Sequence, residues 1–133
     1  MKAYFLDTSA LLAHYLNEGG SQRVQAILEE EGSEISISAL SVSEMARRLL
    51  ALGIDLVAAR STALEYAGLA RVTAIDTATS VRAFELGSAC KTRLPLVDAL
   101  IAAGAALSNA TLVHRDPHFN EIPAGLLVRE EID

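Results

Sequence analysis

Ala3-Tyr4-Phe5-Leu6-Asp7-Thr8-Ser9 is a short apolar run that passes directly into three polar residues. The run predicts a buried strand that ends at Asp7. Ala10-Leu11-Leu12-Ala13 follows and favours a helix, for which any of the three polar residues could provide the N-cap. Gly19-Gly20 ends this helix, so the start of the chain predicts a strand that is followed at once by a helix.

The rest of the sequence repeats this alternation, which is typical of a parallel sheet with helices on its faces. There is no linker, repeat or low-complexity tract, so we expect a single domain over residues 1–133. The predicted strands span residues 35–40, 72–75, 111–113 and 126–128. The predicted helices run from Ser21 to near Gly32, from Ser41 or Ser43 to Gly53, from Asp55 through Leu69, from Thr77 to Lys91 and from Leu96 to Ser108.

Hydrophobic residues make up 51% of the chain and aromatic residues only 5%, so Ala, Leu, Ile and Val must fill the core. The single cysteine, Cys90, cannot form an internal disulfide and is expected to be a small core residue in a reducing cytoplasm. No segment has the roughly 18 consecutive apolar residues of a membrane span, and the N-terminus lacks a signal-peptide pattern. We therefore expect a soluble, cytoplasmic protein with no membrane partner.

The formal net charge of the chain is −6, and its calculated pI is about 5.0. This balance argues against charge-driven binding to nucleic acid, which needs a basic face. It does not exclude a nuclease, because acidic side chains gathered in one site bind metal cations that in turn contact phosphate.

Four acidic residues are predicted to lie at the same end of the sheet. Open parallel sheets bind ligands at the carboxyl ends of their strands. Asp7 and Asp116 each follow a predicted strand, and Glu44 lies in the first turn of the helix after the second strand. Asp98 is a lone charge near the start of an otherwise apolar helix, where an acid is costly unless it is paired, hydrogen-bonded or bound to metal.

Each of these acids also has a structural interpretation. Asp7 could be only an N-cap, and Glu44 could form a capping box with Ser41. Asp98 could interact with the helix dipole, and Asp116 could be a turn residue. One shared site explains all four positions more simply than four separate roles do.

Four like charges in one place repel each other, and divalent cations relieve that repulsion. Oxygen ligands suit Mg²⁺ or Mn²⁺, whose natural chemistry here is hydrolysis of a phosphodiester. We therefore predict that all four acids are catalytic and that Asp7, Asp98 and Asp116 are metal ligands. Ser9 could hold a metal-bound water or a phosphate oxygen, or could only cap the helix.

Four motifs occur in a fixed order along the chain: Asp7-Thr8-Ser9, Ser43-Glu44, Leu96-Val97-Asp98-Ala99, and Leu112-Val113-His114-Arg115-Asp116-Pro117-His118-Phe119. This ordered set, which covers essentially the whole chain, resembles the PIN-domain family and, within it, the VapC-type toxins of toxin–antitoxin pairs. The resemblance implies a Rossmann-like α/β/α sandwich and a Mg²⁺- or Mn²⁺-dependent endoribonuclease. It also implies frequent homodimers and inhibition by a cognate antitoxin. The four acids fall on the family's acidic positions, and Ser9 falls on its small hydroxyl position.

His114 departs from the family pattern, since many members have Thr or Ser two residues before the last acid. It could donate a proton or contact phosphate, or it could be a structural imidazole at a strand end. Arg115 could belong to a basic rim that grips RNA, although ordinary surface charge explains it equally well. His14 and His118 are weaker candidates, because no metal-ligand spacing links them. The other arginines of such a rim would be Arg47, Arg48 and Arg93.

Two questions stay open at this point. The main alternative function is a PIN-like module that binds RNA or protein without cutting, and the presence of all four acids argues against it. The predicted helix over residues 55–69 is apolar and carries few charges. Part of it could face a second subunit, or it could be buried in its own core.

Overall fold

The computed structural model describes residues 2–133 and has a sheet of five strands, all parallel, at its centre. The strands are β1 Ala3–Leu6, β2 Glu34–Ser38, β3 Arg71–Thr73, β4 Thr111–His114 and β5 Arg129–Glu131, in the spatial order β3-β2-β1-β4-β5. The helices are α1 Thr8–Tyr15, α2 Ser21–Glu29, α3 Ala39–Ala51, α4 Leu56–Gly68, α5 Thr77–Ser88 and α6 Leu96–Leu107. A 3₁₀ turn, Pro117–Glu121, follows β4.

The predicted α/β/α sandwich is confirmed, because helices pack on both faces of the sheet. Side chains alternate between the two faces along β1. Tyr4 and Leu6 face a core that α1 to α4 supply, whereas Phe5 faces a second core that α5 and α6 supply. Burial of this central strand on both faces explains its continuous apolar sequence, from which a buried strand was predicted.

A glycine lets α6 pack very close to β1. A Cβ atom added to Gly104 would lie 2.8 Å from Cζ of Phe5, which is closer than real contacts allow. The neighbouring residues Ala102, Ala103 and Ala105 are also buried. The Ala-rich sequence of this helix therefore allows it to approach the sheet closely.

The prediction of a last strand over residues 126–128 is wrong. The last strand is β5, which pairs with β4 from Leu112↔Arg129 to His114↔Glu131. Its residues are charged and it lies at the edge of the sheet, so it lacks the apolar signature of a buried strand. Residues 126–128 form a loop instead, in which Leu127 packs its apolar side chain into the core.

The predicted start of the third helix is also wrong. Neither Ser41 nor Ser43 is its first residue, because α3 begins at Ala39 and its N-cap is Ser38, whose side chain accepts a hydrogen bond from the Leu40 backbone N–H. The second strand consequently ends at Ser38, two residues earlier than predicted. Alternating small polar and apolar residues continue from the strand into the helix, which hides the boundary between them.

The third strand and Cys90 need smaller corrections. The third strand is Arg71–Thr73 rather than residues 72–75. Cys90 lies just beyond α5 and is half-buried, with its Sγ donating to the Leu86 carbonyl at 3.3 Å, so it sits at the margin of the core. Within residues 2–133, no helix has the length and apolarity needed to span a membrane.

Candidate metal-binding active site

The four predicted acids converge at the carboxyl ends of β1 and β4. Asp7 follows β1 directly and is tied to the neighbouring strand, because its backbone N–H donates to the Val113 carbonyl at 3.0 Å. Asp116 lies two residues beyond β4, Glu44 lies on α3 and Asp98 lies in the first turn of α6. Neighbouring charges contribute to the raised pKa values of two of these acids: Asp98 and Glu44 act on Asp7, and Asp116 and Glu44 act on Asp98.

Asp7 is the most buried of the four, with only 4% of its surface exposed. It is the N-cap of α1, and its carboxylate accepts hydrogen bonds from both the backbone N–H and the hydroxyl of Ser9. Burial is the main reason that its pKa rises from 3.8 to about 7, against the lowering effect of the Ser9 hydrogen bonds. The capping role that the sequence left open is real, but it does not relieve the desolvation of the charge.

Glu44 is held by a hydroxyl of another element. Its Oε1 lies 2.5 Å from Oγ1 of Thr8, which donates because an ionised carboxylate can only accept. The Thr8 hydroxyl also lies 2.9 Å from the buried hydroxyl of Ser41. The structural alternative of a capping box between Ser41 and Glu44 does not apply, because Ser38 is the N-cap of α3 and Glu44 contacts Thr8 instead.

Asp98 and Asp116 both contact the imidazole of His118. Nδ1 of His118 lies 3.0 Å from Oδ2 of Asp98 and 3.2 Å from Oδ1 of Asp116. One ligand atom from each of these three residues lies within 4.8 Å of the other two. Partial burial and the Asp116 charge raise the pKa of Asp98, and the His118 contact lowers it.

Ser9 links the two turns that carry Asp7 and Asp116. Its hydroxyl donates to Asp7 and accepts the backbone N–H of Arg115 at 2.9 Å. The Arg115 guanidinium extends to Glu18, with Nη1 3.2 Å from Oε1, and both side chains are partly exposed. Ser9 thus fixes the site's backbone, whereas Arg115 contributes a cation at its edge.

His114 does not fit the predicted contact with a phosphate. The residue is completely buried, so a substrate has no access to its imidazole. Its Nδ1 accepts the backbone N–H of Asp116 at 3.2 Å, and its ring packs edge-on against Phe119 with centroids 5.0 Å apart. Burial lowers its pKa, which favours the neutral form that this hydrogen bond requires. These contacts favour the alternative of a structural imidazole at a strand end.

Sequence reasoning gave little weight to two residues that the structure brings to the site. Thr8 holds Glu44, and His118 contacts Asp98, which is twenty positions away. The local signal for His118 is the 3₁₀ turn, in which Asp116 accepts the His118 backbone N–H at 2.9 Å. The pair Asp116-Pro117 predicts the turn. No local sequence pattern predicts the contact between His118 and α6, because it depends on tertiary packing.

The donor set fits a divalent cation. Within residues 2–133, no Lys or Arg nitrogen lies within 4.0 Å of any of the four carboxylates. Buried like charges without a protein cation are unfavourable unless another cation neutralises them. Carboxylate oxygens suit Mg²⁺ and Mn²⁺, and imidazole nitrogen is a further ligand for transition metals.

Comparison with known proteins identifies a family and a set of similar folds. The family model of the PIN domain matches residues 4–125. No relative among curated protein sequences matches the chain significantly.

Three similar solved structures contain VapBC proteins. VapBC2 from Rickettsia felis, bound to a DNA fragment from its promoter, has a TM-score of 0.78 at 21% identity, covering 98% of this chain and 99% of that chain. DNA-bound VapBC from Salmonella typhimurium has a TM-score of 0.75 at 18% identity, covering 98% of both chains. VapBC-5 from Mycobacterium tuberculosis, a member of the VapBC family of toxin–antitoxin systems, has a TM-score of 0.66 at 20% identity. The match covers 99% of this chain and 98% of that chain.

Proposed function

Because this chain belongs to the PIN domain family, we propose that it is a metal-dependent endoribonuclease and the toxin of a toxin–antitoxin pair. The observation that carries the proposal is the convergence of Asp7, Glu44, Asp98 and Asp116, none of which forms a salt bridge with a Lys or Arg of residues 2–133. The VapBC structures with the same fold support the toxin assignment.

Asp7, Asp98 and Asp116 are the residues that would hold Mg²⁺ or Mn²⁺. When bound, the cation would supply Lewis-acid chemistry and an activated water for hydrolysis of an RNA phosphodiester. Ser9 orients Asp7, and the turn at Pro117–Glu121 orients Asp116. Such fixed hydrogen bonds hold the ligands in place before substrate arrives.

Glu44 has a separate role in this proposal. Thr8 holds one carboxylate oxygen and thereby fixes the side chain beside the metal ligands. The other oxygen has no hydrogen-bond partner among the described residues, so it is free to accept the proton of the attacking water. His114 supports the same chemistry indirectly, because it holds the backbone N–H of Asp116.

Arg115 is the proposed contact for an RNA phosphate. Its guanidinium is partly exposed, and its pair with Glu18 at 3.2 Å is a surface ion pair. Surface ion pairs contribute only about 0–1 kcal/mol to stability, so a phosphate can replace Glu18 as the partner of Arg115 with little loss of free energy. This cation offers local attraction for RNA on a chain whose net charge is −6.

The proposed protein partners are a cognate antitoxin and a second copy of the chain. A groove of about 270 Å³ lies between α3 and α4, with apolar walls and with Arg47 and Arg60 in its lining. No carboxylate of residues 2–133 forms a salt bridge with either arginine. An antitoxin segment with apolar and acidic side chains complements this groove. Its other lining residues are Ala46, Leu50, Leu56 and Ala59.

The antitoxin proposal is tested by co-expression with the product of a short reading frame next to the gene. Arg60→Glu should weaken the complex, because it reverses a charge in the groove, while melting of the isolated chain should change little. A complex of undiminished affinity would place the antitoxin elsewhere.

The nuclease proposal is tested with Asp98→Asn, beside Asp55→Asn as a matched control. Asp55 caps α4 through the Ala58 backbone N–H, and Asn is an equally good N-cap. We expect Asp98→Asn to abolish Mn²⁺-dependent RNA cleavage and to melt in chelator no earlier than the wild type, since repulsion falls. Mn²⁺ should then raise its melting temperature less, because its dissociation constant is larger.

Two results would contradict this assignment. A variant that melts earlier in chelator, yet gains as much from Mn²⁺ and still cuts RNA, would make Asp98 structural. Wild-type protein that binds RNA but leaves it intact with Mg²⁺ and Mn²⁺ would favour the non-catalytic binding module.

A further inference from the structure

His118 projects its imidazole nitrogen between two carboxylates of the proposed metal site. Nδ1 lies 3.0 Å from Asp98 Oδ2 and 3.2 Å from Asp116 Oδ1. The side chain is 56% exposed, so neither core packing nor burial requires it to face the acids. The three residues come from two elements, since Asp98 belongs to α6 and the other two flank the start of the 3₁₀ turn.

The spacing of these atoms is that of neighbouring ligands around one metal ion. In an octahedral shell with bonds of about 2.1 Å, adjacent ligand atoms are separated by about 3.0 Å. The two distances from Nδ1 are close to this value, and one ligand atom from each residue lies within 4.8 Å of the others. These distances are compatible with a single ion that contacts all three side chains.

The second ring nitrogen is compatible with a ligand role. No hydrogen bond joins Nε2 of His118 to the part of the chain that the structure describes. Coordination through Nδ1 leaves the proton on Nε2, and a histidine ligand usually donates that N–H to a carboxylate, a carbonyl or water. Because the His118 ring is exposed, its Nε2–H can donate to a water molecule.

We propose that His118 is a direct ligand of the metal, through Nδ1, and that its nitrogen makes the site select Mn²⁺ over Mg²⁺. This inference rests on the proposed metal-dependent function and adds the choice of metal to it. Mg²⁺ takes oxygen ligands and retains its waters, whereas imidazole binds transition metals readily. One nitrogen ligand among the carboxylates accordingly disfavours Mg²⁺ more than it disfavours the transition metal Mn²⁺.

Calorimetric titration with Mn²⁺ and with Mg²⁺ tests the selectivity in wild type, His118→Ala and the control His14→Ala. His14 lies on α1 and hydrogen-bonds to Tyr66 and Gln25, away from the acids. We expect His118→Ala to lose Mn²⁺ affinity by about tenfold or more, the loss that removal of even an outer partner causes. Mg²⁺ affinity should fall much less, and His14→Ala should resemble the wild type. Equal losses for both metals, or none, would overturn the proposal.

Pulsed electron paramagnetic resonance of the bound Mn²⁺ provides a direct readout that does not depend on activity. Wild type and His14→Ala should show hyperfine coupling to nitrogen, and His118→Ala should not. Wild-type protein that cuts RNA with Mn²⁺ but lacks nitrogen coupling would refute the ligand role of His118 alone. Wild-type protein that fails to bind Mn²⁺ at all would refute the proposed function together with this inference.

Discussion

Asp7 is buried at a position where an ionised carboxylate is energetically unfavourable. The residue caps α1 and receives two hydrogen bonds from Ser9, yet burial and neighbouring acids still raise its pKa to about 7. In the metal-free protein the group therefore keeps its proton well above the pH at which an exposed aspartate loses it. A divalent cation reverses this preference, because it stabilises the ionised form.

The raised pKa of Asp7 makes stability depend on pH in a definite direction. Between 3.8 and about 7 the folded protein binds more protons at this residue than the unfolded chain, so stability decreases as the pH rises. The full effect, present above pH 7, is about 4 kcal/mol at most. Asp7→Asn lacks the charge, so in chelator it should be more stable than the wild type at pH 8, with the difference shrinking toward pH 4.

Urea unfolding of both proteins in chelator at several pH values checks this expectation. The comparison of the two proteins at each pH cancels the contributions of titrating groups that do not interact with Asp7. A difference in unfolding free energy that is the same at pH 5 and pH 8 would show that Asp7 is not held in its neutral form.

The site shows what local sequence can and cannot indicate about single residues. Asp7 and Asp116 were predictable as neighbours because each follows a parallel strand, and the structure brings them to the same end of the sheet. The catalytic roles of these residues remain predictions. The contact between His118 and Asp98 depends on how a turn packs against α6, which no local pattern encodes. The burial of His114 is equally invisible in the sequence.

The small side chains of α6 determine how closely this helix packs against the sheet. Gly104 faces Phe5 so closely that a methyl group would lie 2.8 Å from the ring. Since Asp98 begins the same helix, the distance between helix and sheet also sets the position of that carboxylate. Gly104 consequently connects the packing of the core with the geometry of the acids.

Gly104→Ala should destabilise the protein by about 1–3 kcal/mol, because overpacking forces the helix or Phe5 to move. Gly87→Ala is the matched control, since Gly87 also lies within a helix but has no atom within 4 Å of an added Cβ. That variant should be neutral or more stable by up to about 1 kcal/mol, as Ala favours helix. Chemical denaturation measures both, and equal effects would show that α6 has room to adjust.

The predictions of whole elements were most accurate where hydrophobic residues lie on a buried surface. The observed bounds of β1, β4 and α6, whose apolar residues are mostly buried, agree with the predicted bounds to within about one residue. β5 was misplaced because its charged residues pair only through the backbone at an edge. The start of α3 was missed because Ser38, Ser41 and Ser43 are equally good N-caps by residue type.

The overall charge of the molecule opposes its proposed substrate. A net charge of −6 repels RNA at long range, so attraction must come from cations close to the acids. Arg115 is such a cation, and its backbone N–H is also held by Ser9 beside Asp7. Arg71, an exposed residue at the amino end of β3, lies at the opposite end of the sheet from the acids.

RNA binding by Arg115→Ala should be weaker and less dependent on salt than that of the wild type. Loss of one phosphate contact reduces the slope of log affinity against log salt by about 1. The measurement uses an Asp98→Asn background, which keeps the RNA uncut, and Arg71→Ala serves as the control that leaves the slope unchanged. An unaltered slope for Arg115→Ala would exclude the phosphate contact.

Helix α4 leaves apolar side chains at the surface of the isolated chain. Ala59 and Ala63 are buried against the core, but Leu56 and Val57 are 68% and 71% exposed. Burial in its own core therefore holds for one face of this helix, and the exposed face supports the proposed homodimer. Sedimentation velocity should show a dimer at micromolar concentrations that Val57→Lys converts to monomer with an unchanged fold. A wild-type chain that remains strictly monomeric would exclude it.

The position of β1 in the middle of the sheet imposes an order on biosynthesis. β1 leaves the ribosome well before one of its two neighbours, because it pairs with β2 and with β4, and β4 begins only at Thr111. A nascent chain that stops before Thr111 has one open edge on its central strand and lacks Asp116 altogether. The four acids can meet only after Asp116 has been synthesised and β4 has paired with β1, so the proposed metal site cannot assemble on a shorter nascent chain.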